Sequence, residues 1–131
     1  MIQWVDKEFS VGIVKIDEQH KQLVGLINAL RAKSDSNEHE LISRILTTLM
    51  LYVRNHFTEE EKILRKINFP SFSAHHQQHK AFDQKLHQLR NEFEARGKSP
   101  ELLADLTQFL EDWLVKHILI EDKAYSRYLL D

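Results

Sequence analysis

Residues 72–93 carry their core positions in alternating steps of three and four, the heptad spacing of a helix that faces the centre of a bundle. Two of these positions are His75 and His79. Residues four apart lie one turn above each other on the same side of a helix, so both imidazoles can point at one metal ion. The segment therefore predicts a bundle helix with a polar pair in its core. Its core positions are Phe72, His75, His79, Phe82, Leu86, Leu89 and Phe93.

Three further segments have the same spacing, and each of them also carries a histidine at a core position. The second segment adds a glutamate, so two of its core positions are polar. A histidine on every core face is more than a chain with an ordinary apolar core requires. The three sets are Ile16, His20, Leu23, Ile27 and Leu30; Ile42, Leu46, Leu49, Val53, His56, Glu60, Ile63 and Ile67; and Leu103, Leu106, Leu110, Trp113, His117 and Ile120.

Capping and breaking residues mark the ends of these helices. Asp17, Ser71 and Ser99 are candidate N-caps, and Pro100 suits the first helical position. Residues 1–16 lack sustained helical spacing, so we predict an extended N-terminal arm, with a short tail at the C-terminus. The predicted bounds are 1–16 for the arm, about 17–33, 38–67, 71–96 and 100–119 for the helices, and 120–131 for the tail.

The composition favours a single all-helical domain. Only three glycines and two prolines occur in 131 residues, and a chain of this length usually forms one domain. Short connections make successive helices antiparallel. We therefore predict that residues 1–131 form an all-α, up-down-up-down antiparallel four-helix bundle with an N-terminal arm and a C-terminal tail.

Charge and hydropathy argue against several classes of protein. A net charge of −2 without long runs of one sign gives no basis for binding nucleic acid or an anionic membrane. No signal-peptide pattern and no apolar run of membrane-spanning length occur, so we expect a cytoplasmic protein without membrane insertion. Because no helix pattern demands a partner, we expect a monomer. The absence of cysteine means that nitrogen and oxygen must hold any metal.

The polar core residues converge at one end of the predicted bundle. In an antiparallel arrangement, the starts of the first and third helices lie beside the ends of the second and fourth. Five histidines and Glu60 then fall within roughly three helical turns of that end. Burying an unpaired charge costs several kcal/mol, whereas a metal ion pairs it. Because zinc usually takes four ligands, two carboxylate-bridged ions fit better; these ligands suit iron and also admit manganese, cobalt or zinc.

The order of these residues resembles that of the hemerythrin family, in particular the single-domain bacterial hemerythrins. The family pattern has a histidine in the first helix, His-x-x-x-Glu in the second, His-x-x-x-His in the third and His-x-x-x-x-Asp at the end of the fourth. The resemblance covers essentially the whole chain and implies seven metal ligands. They are His20; His56 and Glu60 in HFTEE; His75 and His79 in HHQQH; and His117 and Asp122 in HILIED.

This resemblance implies two non-haem iron ions per chain, bridged by an oxo or hydroxo group and by Glu60 and Asp122. One iron would be held by His75, His79 and His117, and the other by His20 and His56. Dioxygen would bind the iron with two histidines. The implied function is reversible dioxygen binding without catalysis, for oxygen storage or delivery to an oxygen-consuming enzyme. The alternatives are a di-iron redox enzyme or sensor, acting on peroxide or nitric oxide, and a metal-free helical interaction module.

The end of the fourth helix poses a geometric problem. On an ideal helix, five residues place Asp122 about 140° around the axis from His117, so the last turn must distort or end. Glu121 is the alternative ligand if the register differs. Trp113 and Leu114 are expected to pack in the core and to form the dry wall of an oxygen pocket.

Other polar residues are expected to have no ligand role. His39 lies near a helix start, His76 points about 100° away from the core face, and His87 has no matching partner. Glu59 and Glu61 flank a core position and are expected on a solvated helix face.

Overall fold

The chain is helical over most of the residues that the computed structural model describes, which are 2–33, 39–96 and 100–130. No β-strand occurs within these ranges. The all-α prediction is therefore confirmed. In chain order the elements are α1 (Asp6–Phe9), α2 (Val14–Ala32), α3 (His39–Lys66), α4 (Phe72–Arg96), α5 (Pro100–Lys116), a π-helical segment (His117–Asp122) and α6 (Lys123–Leu130).

The four long helices pack as an antiparallel bundle. α2 contacts α3 and α5, and α4 also contacts α3 and α5. Their core faces are buried, with Leu23, Leu46, Leu86 and Leu106 at 2% exposure or less. This arrangement confirms the predicted bundle and brings the starts of α2 and α4 beside the ends of α3 and α5. In the described part of the chain, no helix combines the length and apolar composition needed to cross a lipid bilayer.

The two faces of α3 give a direct test of this packing. The side chain of Leu46 is 0% exposed, whereas that of Leu51 is 62% exposed. Replacing Leu46 by alanine leaves a cavity and should lower the free energy of unfolding by about 2–5 kcal/mol. Leu51→Ala should change it by less than about 0.5 kcal/mol. Denaturant unfolding of both variants measures the difference, and equal losses would contradict the assigned core face.

The N-terminal arm lies against the bundle and is held by hydrogen bonds to two helices. The backbone N–H of Ile2 donates to Asn28 Oδ1 (3.0 Å), and Asn28 Nδ2 donates to the carbonyl of Ile2 (2.8 Å). Near the other end of the chain, the hydroxyl of Ser126 donates to the carbonyl of Val11 (2.7 Å). The arm also contains the single helical turn of α1, so it is not extended throughout.

The helix bounds differ from the predicted ones chiefly at α2 and at the C-terminus. α2 begins at Val14, so Asp17 lies in its first turn and is not the N-cap. The Asp17 carboxylate instead accepts hydrogen bonds from the N–H of Val11 (2.8 Å) and the hydroxyl of Ser10 (2.5 Å), which ties the arm to the helix. The other long helices begin within one residue of the predicted positions. The predicted N-cap Ser99 lies outside the described residues.

The region predicted as a tail continues the last helix. α5, the π-helical segment and α6 follow one another from 100 to 130 without a break. Ile120, which the heptad spacing assigned to the core, is 57% exposed, and Ile118 is 1% exposed instead. The reason is that a π-helix closes its hydrogen bonds from i to i+5, so the extra residue in each turn rotates the positions after His117.

Candidate metal centre

Seven polar side chains meet at one end of the bundle, where the core would otherwise be apolar. Each of them is at most 3% exposed. α2 contributes one imidazole, α3 an imidazole and a carboxylate, α4 two imidazoles, and the π-helical segment an imidazole and a carboxylate. The structure thus brings together all seven residues that the sequence singled out: His20, His56, Glu60, His75, His79, His117 and Asp122.

Three imidazoles lie around one oxygen from each carboxylate. Glu60 Oε1 is 2.6 Å from Nε2 of His75, 3.1 Å from Nε2 of His79 and 3.6 Å from Nε2 of His117. Asp122 Oδ1 is 3.2 Å from Nε2 of His75 and 2.9 Å from Nε2 of His117. We call His75, His79 and His117 the three-histidine group.

The other two imidazoles lie around the remaining carboxylate oxygens. Glu60 Oε2 is 3.3 Å from Nε2 of His56 and 3.7 Å from Nε2 of His20, and Asp122 Oδ2 is 3.0 Å from Nε2 of His20. We call His20 and His56 the two-histidine group. Each carboxylate therefore points one oxygen at each group. Glu60 and the three-histidine group form one set of donor atoms, and Glu60 and the two-histidine group form another. In each set the donor atoms lie within 4.8 Å of one another, close enough to hold a metal ion.

The π-helical segment accounts for the position of Asp122. Because its hydrogen bonds span five residues, residues five apart lie nearly over each other, and His117 and Asp122 face the same side. Glu121, the alternative from the sequence, instead lines an open cavity of about 210 Å³ beside Trp113 and Lys116. The distortion that His117 and Asp122 need in order to face the same side is thus supplied by one widened turn, which contains no glycine or proline.

Buried polar atoms without hydrogen bonds test whether this donor set fits metal ions. Among the described residues, both ring nitrogens of His20 and both carboxylate oxygens of Asp122 lack a hydrogen bond of good geometry, although Nε2 of His20 lies 3.0 Å from Oδ2 and Nε2 of His117 lies 2.9 Å from Oδ1 of Asp122. Leaving such atoms buried and unsatisfied costs free energy. Cations between the facing lone pairs would satisfy Asp122 and Nε2 of His20, so the residues fit a site for two metal ions.

The cluster shifts the pKa values of its own members. Burial lowers the pKa of His75, but contacts with Asp122 and Glu60 outweigh burial and raise it to about 10. The same competition raises the pKa values of His20 and His117 to about 9. Burial opposes ionisation of Glu60, yet its imidazole neighbours hold its pKa well below the usual range. Protons on these imidazoles therefore balance the carboxylates at the positions that metal ions would take.

Two residues that sequence reasoning left out contact the outer nitrogens of the imidazoles. Nδ1–H of His56 donates to the side-chain oxygen of Gln19 (2.7 Å). Nδ1–H of His79 donates to Glu61 Oε2 (2.9 Å), and Nδ1–H of His76 donates to Glu61 Oε1 (2.6 Å). Burial would raise the pKa of Glu61, but these two histidines lower it, so the carboxylate is ionised. Glu61 was wrongly expected on a solvated face.

The third omission is Tyr125 on α6, whose side chain is 0% exposed. Its hydroxyl donates to Glu60 Oε2 over 3.4 Å, and burial raises its pKa far above the usual range. A tyrosine that stays protonated donates a hydrogen bond to the carboxylate and adds no negative charge beside it.

For Glu61, the sequence did contain a signal. Glu60-Glu61 on α3 and His75-His76 on α4 each place a second polar residue of the same type next to a core position, and the two helices are neighbours.

Aromatic and aliphatic side chains form the wall of the cluster toward the rest of the core. The ring of Trp113 stacks on His117 at 4.3 Å, and the ring of Phe57 stacks on His79 at 3.8 Å. Leu114 is 4% exposed. Phe57, Trp113 and Leu114 also line an apolar cavity of about 10 Å³, room for about one water-sized molecule.

The remaining histidines lie away from the cluster. His39 stacks on the ring of Phe93 at 4.5 Å, and His87 is exposed on α4. Neither belongs to a group of donor atoms that could hold a metal ion in the described part of the chain.

Comparisons with known proteins agree in family and fold. A family model described as the hemerythrin HHE cation binding domain matches residues 11–129. The chain is 32% identical over 126 residues to a bacteriohemerythrin of Methylococcus capsulatus, covering 96% of this chain and 95% of that protein. It is 26% identical over 126 residues to a bacteriohemerythrin of Stenotrophomonas maltophilia, covering 96% and 80%. A crystal structure of wild-type hemerythrin is similar with a TM-score of 0.89 and 30% identity, covering 97% and 96%.

Proposed function

This chain belongs to the hemerythrin family, and on that premise we propose that it binds dioxygen reversibly at a centre of two non-haem iron ions. One observation carries the proposal. Glu60 and Asp122 each direct one oxygen to the three-histidine group and the other to the two-histidine group. A carboxylate arranged in this way is suited to bridge two metal ions.

The proposed ligand set follows this division. His75, His79 and His117 would hold one iron, and His20 and His56 the other. Glu60 and Asp122 would bridge them together with an oxo or hydroxo group. Because the two-histidine group has one imidazole fewer, an iron held there would have a coordination position left for a further ligand. That position is the proposed site for dioxygen.

The choice of donors favours binding over oxygen cleavage. A pair of iron ions supplies the electrons that dioxygen accepts when it binds. Five neutral imidazoles with two carboxylates stabilise highly oxidised iron less well than the carboxylate-rich sets of ferritin-like di-iron proteins, which use Glu-x-x-His motifs. No Glu-x-x-His occurs in this sequence. The protein is therefore proposed to be a carrier and not an enzyme.

An apolar wall covers one side of the proposed site. Trp113 and Leu114 lie on this side of the cluster and are proposed to limit the access of water there. Excluding water would protect a bound oxygen from displacement and the irons from irreversible oxidation. These properties suit oxygen storage or delivery to an oxygen-consuming enzyme.

The visible spectrum of the anaerobically reduced, iron-loaded protein tests the proposal. It is recorded before exposure to oxygen, in the presence of oxygen and after flushing with inert gas, together with the iron content. We expect two irons per chain and a charge-transfer band that appears with oxygen and fades on flushing. A band that persists, or turnover with added peroxide or nitric oxide, would indicate redox chemistry and overturn the carrier assignment.

A further inference from the structure

The two groups of imidazoles differ in what accepts the hydrogen bond from their outer nitrogens. In the three-histidine group, Nδ1–H of His79 faces the Glu61 carboxylate at 2.9 Å. In the two-histidine group, Nδ1–H of His56 faces the amide oxygen of Gln19 at 2.7 Å. Of these two acceptors, the one that faces the three-histidine group is thus charged and the one that faces the two-histidine group is neutral.

Glu61 is held firmly in this position. Its side chain is 12% exposed, and its second oxygen accepts from Nδ1–H of His76 at 2.6 Å. His76 is 42% exposed and stacks on Phe72, so it anchors the carboxylate from the protein surface. The carboxylate therefore has both oxygens engaged by imidazoles from α4.

The two-histidine group has no charged acceptor of this kind among the described residues. Gln19 is 8% exposed and its oxygen is uncharged. Nδ1 of His20 is buried and has no hydrogen-bond partner within the described part of the chain. Both imidazoles of this group therefore lack the polarisation that a carboxylate would give.

Hydrogen bonds to an ionised acceptor are roughly twice as strong as those between neutral groups. A carboxylate that accepts from Nδ1–H makes the opposite nitrogen a stronger electron donor toward a bound metal. Stronger donation stabilises ferric over ferrous iron. We propose that Glu61 and Gln19 are positioning residues that make the two irons unequal, with Glu61 lowering the potential of the three-histidine iron and Gln19 keeping that of the two-histidine iron high.

This inference rests on the proposed di-iron function and gives a functional reason for the difference between the three-histidine and two-histidine groups. The two-histidine iron is the one proposed to bind dioxygen. A neutral acceptor on the outer nitrogen of its His56 ligand would leave this iron easier to keep reduced. Because Gln and Glu have nearly the same shape, exchanging them changes the acceptor charge with little change in packing. Glu61→Gln and Gln19→Glu therefore each change the charge of the acceptor at one of the two imidazole groups.

The experiment is an anaerobic redox titration of iron-loaded Glu61→Gln, Gln19→Glu and the double variant, which resolves two one-electron potentials. Glu61→Gln should raise the lower potential and Gln19→Glu should lower the upper one. Each change should approach a tenfold shift in the preference for ferric iron, or about 59 mV. The double variant keeps the net charge of the wild type, yet the gap between its two potentials should narrow most.

Matched controls separate this local effect from a general change of charge. Glu59→Gln removes a negative charge on α3 from a residue that pairs with Lys15 at the surface (2.8 Å), and Gln22→Glu adds one at an exposed position of α2. Both should shift the preference for ferric iron less than twofold. Circular dichroism and iron content check that each variant folds and binds metal.

The outcomes distinguish this inference from the proposed function, because the titration uses no dioxygen. The inference would be overturned if the potentials of Glu61→Gln and Gln19→Glu shifted in the same direction. It would also be overturned if they shifted no more than those of the controls. Loss of iron from Gln19→Glu would also contradict it, because Gln19 is not assigned as a ligand. A wild type whose oxygen-induced colour does not fade on flushing with inert gas would overturn the carrier function while leaving the potentials measurable.

Discussion

A Glu60→Ala variant is expected to lose both irons. Its carboxylate is 0% exposed and lies within 3.7 Å of all five cluster imidazoles. Removing it takes one proposed ligand from each iron and half of the buried negative charge that balances them. Iron content after purification and after anaerobic reloading should fall from two per chain to near zero.

His76→Ala provides the matched control for this loss. His76 lies on α4 next to a cluster residue, but its Nδ1 pairs with the Glu61 carboxylate at 2.6 Å and it is not a proposed ligand. It should keep both irons, because no proposed ligand is removed. Circular dichroism should confirm that both variants are helical. Equal iron content in Glu60→Ala and His76→Ala would refute the ligand assignment.

Much of the fold could be predicted because burial follows a simple period. The heptad spacing of α3 and α4 selects side chains such as Leu46 and Phe93, and both are 0% exposed. A histidine at such a position is conspicuous, since a polar side chain there needs a partner. The convergence of the imidazoles then follows from the antiparallel order of the helices.

The prediction failed where the helical period itself changes. The widened turn at the end of α5 brings Asp122 under His117 and turns Ile120 to the solvent. No glycine or proline marks that turn, and the gain that stabilises it comes from contacts between helices. Such a tertiary gain cannot be read from local propensity.

The outer contacts of the cluster were missed for a different reason. Glu61 and Gln19 lie just beside the core faces of their helices, at positions that usually meet solvent. Their partners, His79 and His56, stand on other elements, so only the packing of neighbouring helices shows that an acceptor is available. Residues that support the proposed ligands are therefore harder to predict than the proposed ligands themselves.

Removing iron should lower the melting temperature by about 10–20 °C. Without metal, two carboxylates and five imidazoles remain buried at one end of the bundle and are balanced only by shared protons. Two metal ions that bind the folded state alone, each at about a thirtyfold excess over its dissociation constant, together stabilise that state by about 4 kcal/mol. For a chain of this size, each kcal/mol corresponds to roughly 3–5 °C.

Calorimetry or circular dichroism of the chelator-treated and reloaded protein measures this shift. The Glu60→Ala variant is the control, because added iron should not raise its melting temperature. A shift in the wild type and none in the variant would tie the stabilisation to the cluster. An iron-free wild type that melts at the same temperature as the loaded protein would instead favour a metal-free helical interaction module, because the buried donors would then be satisfied without any ion.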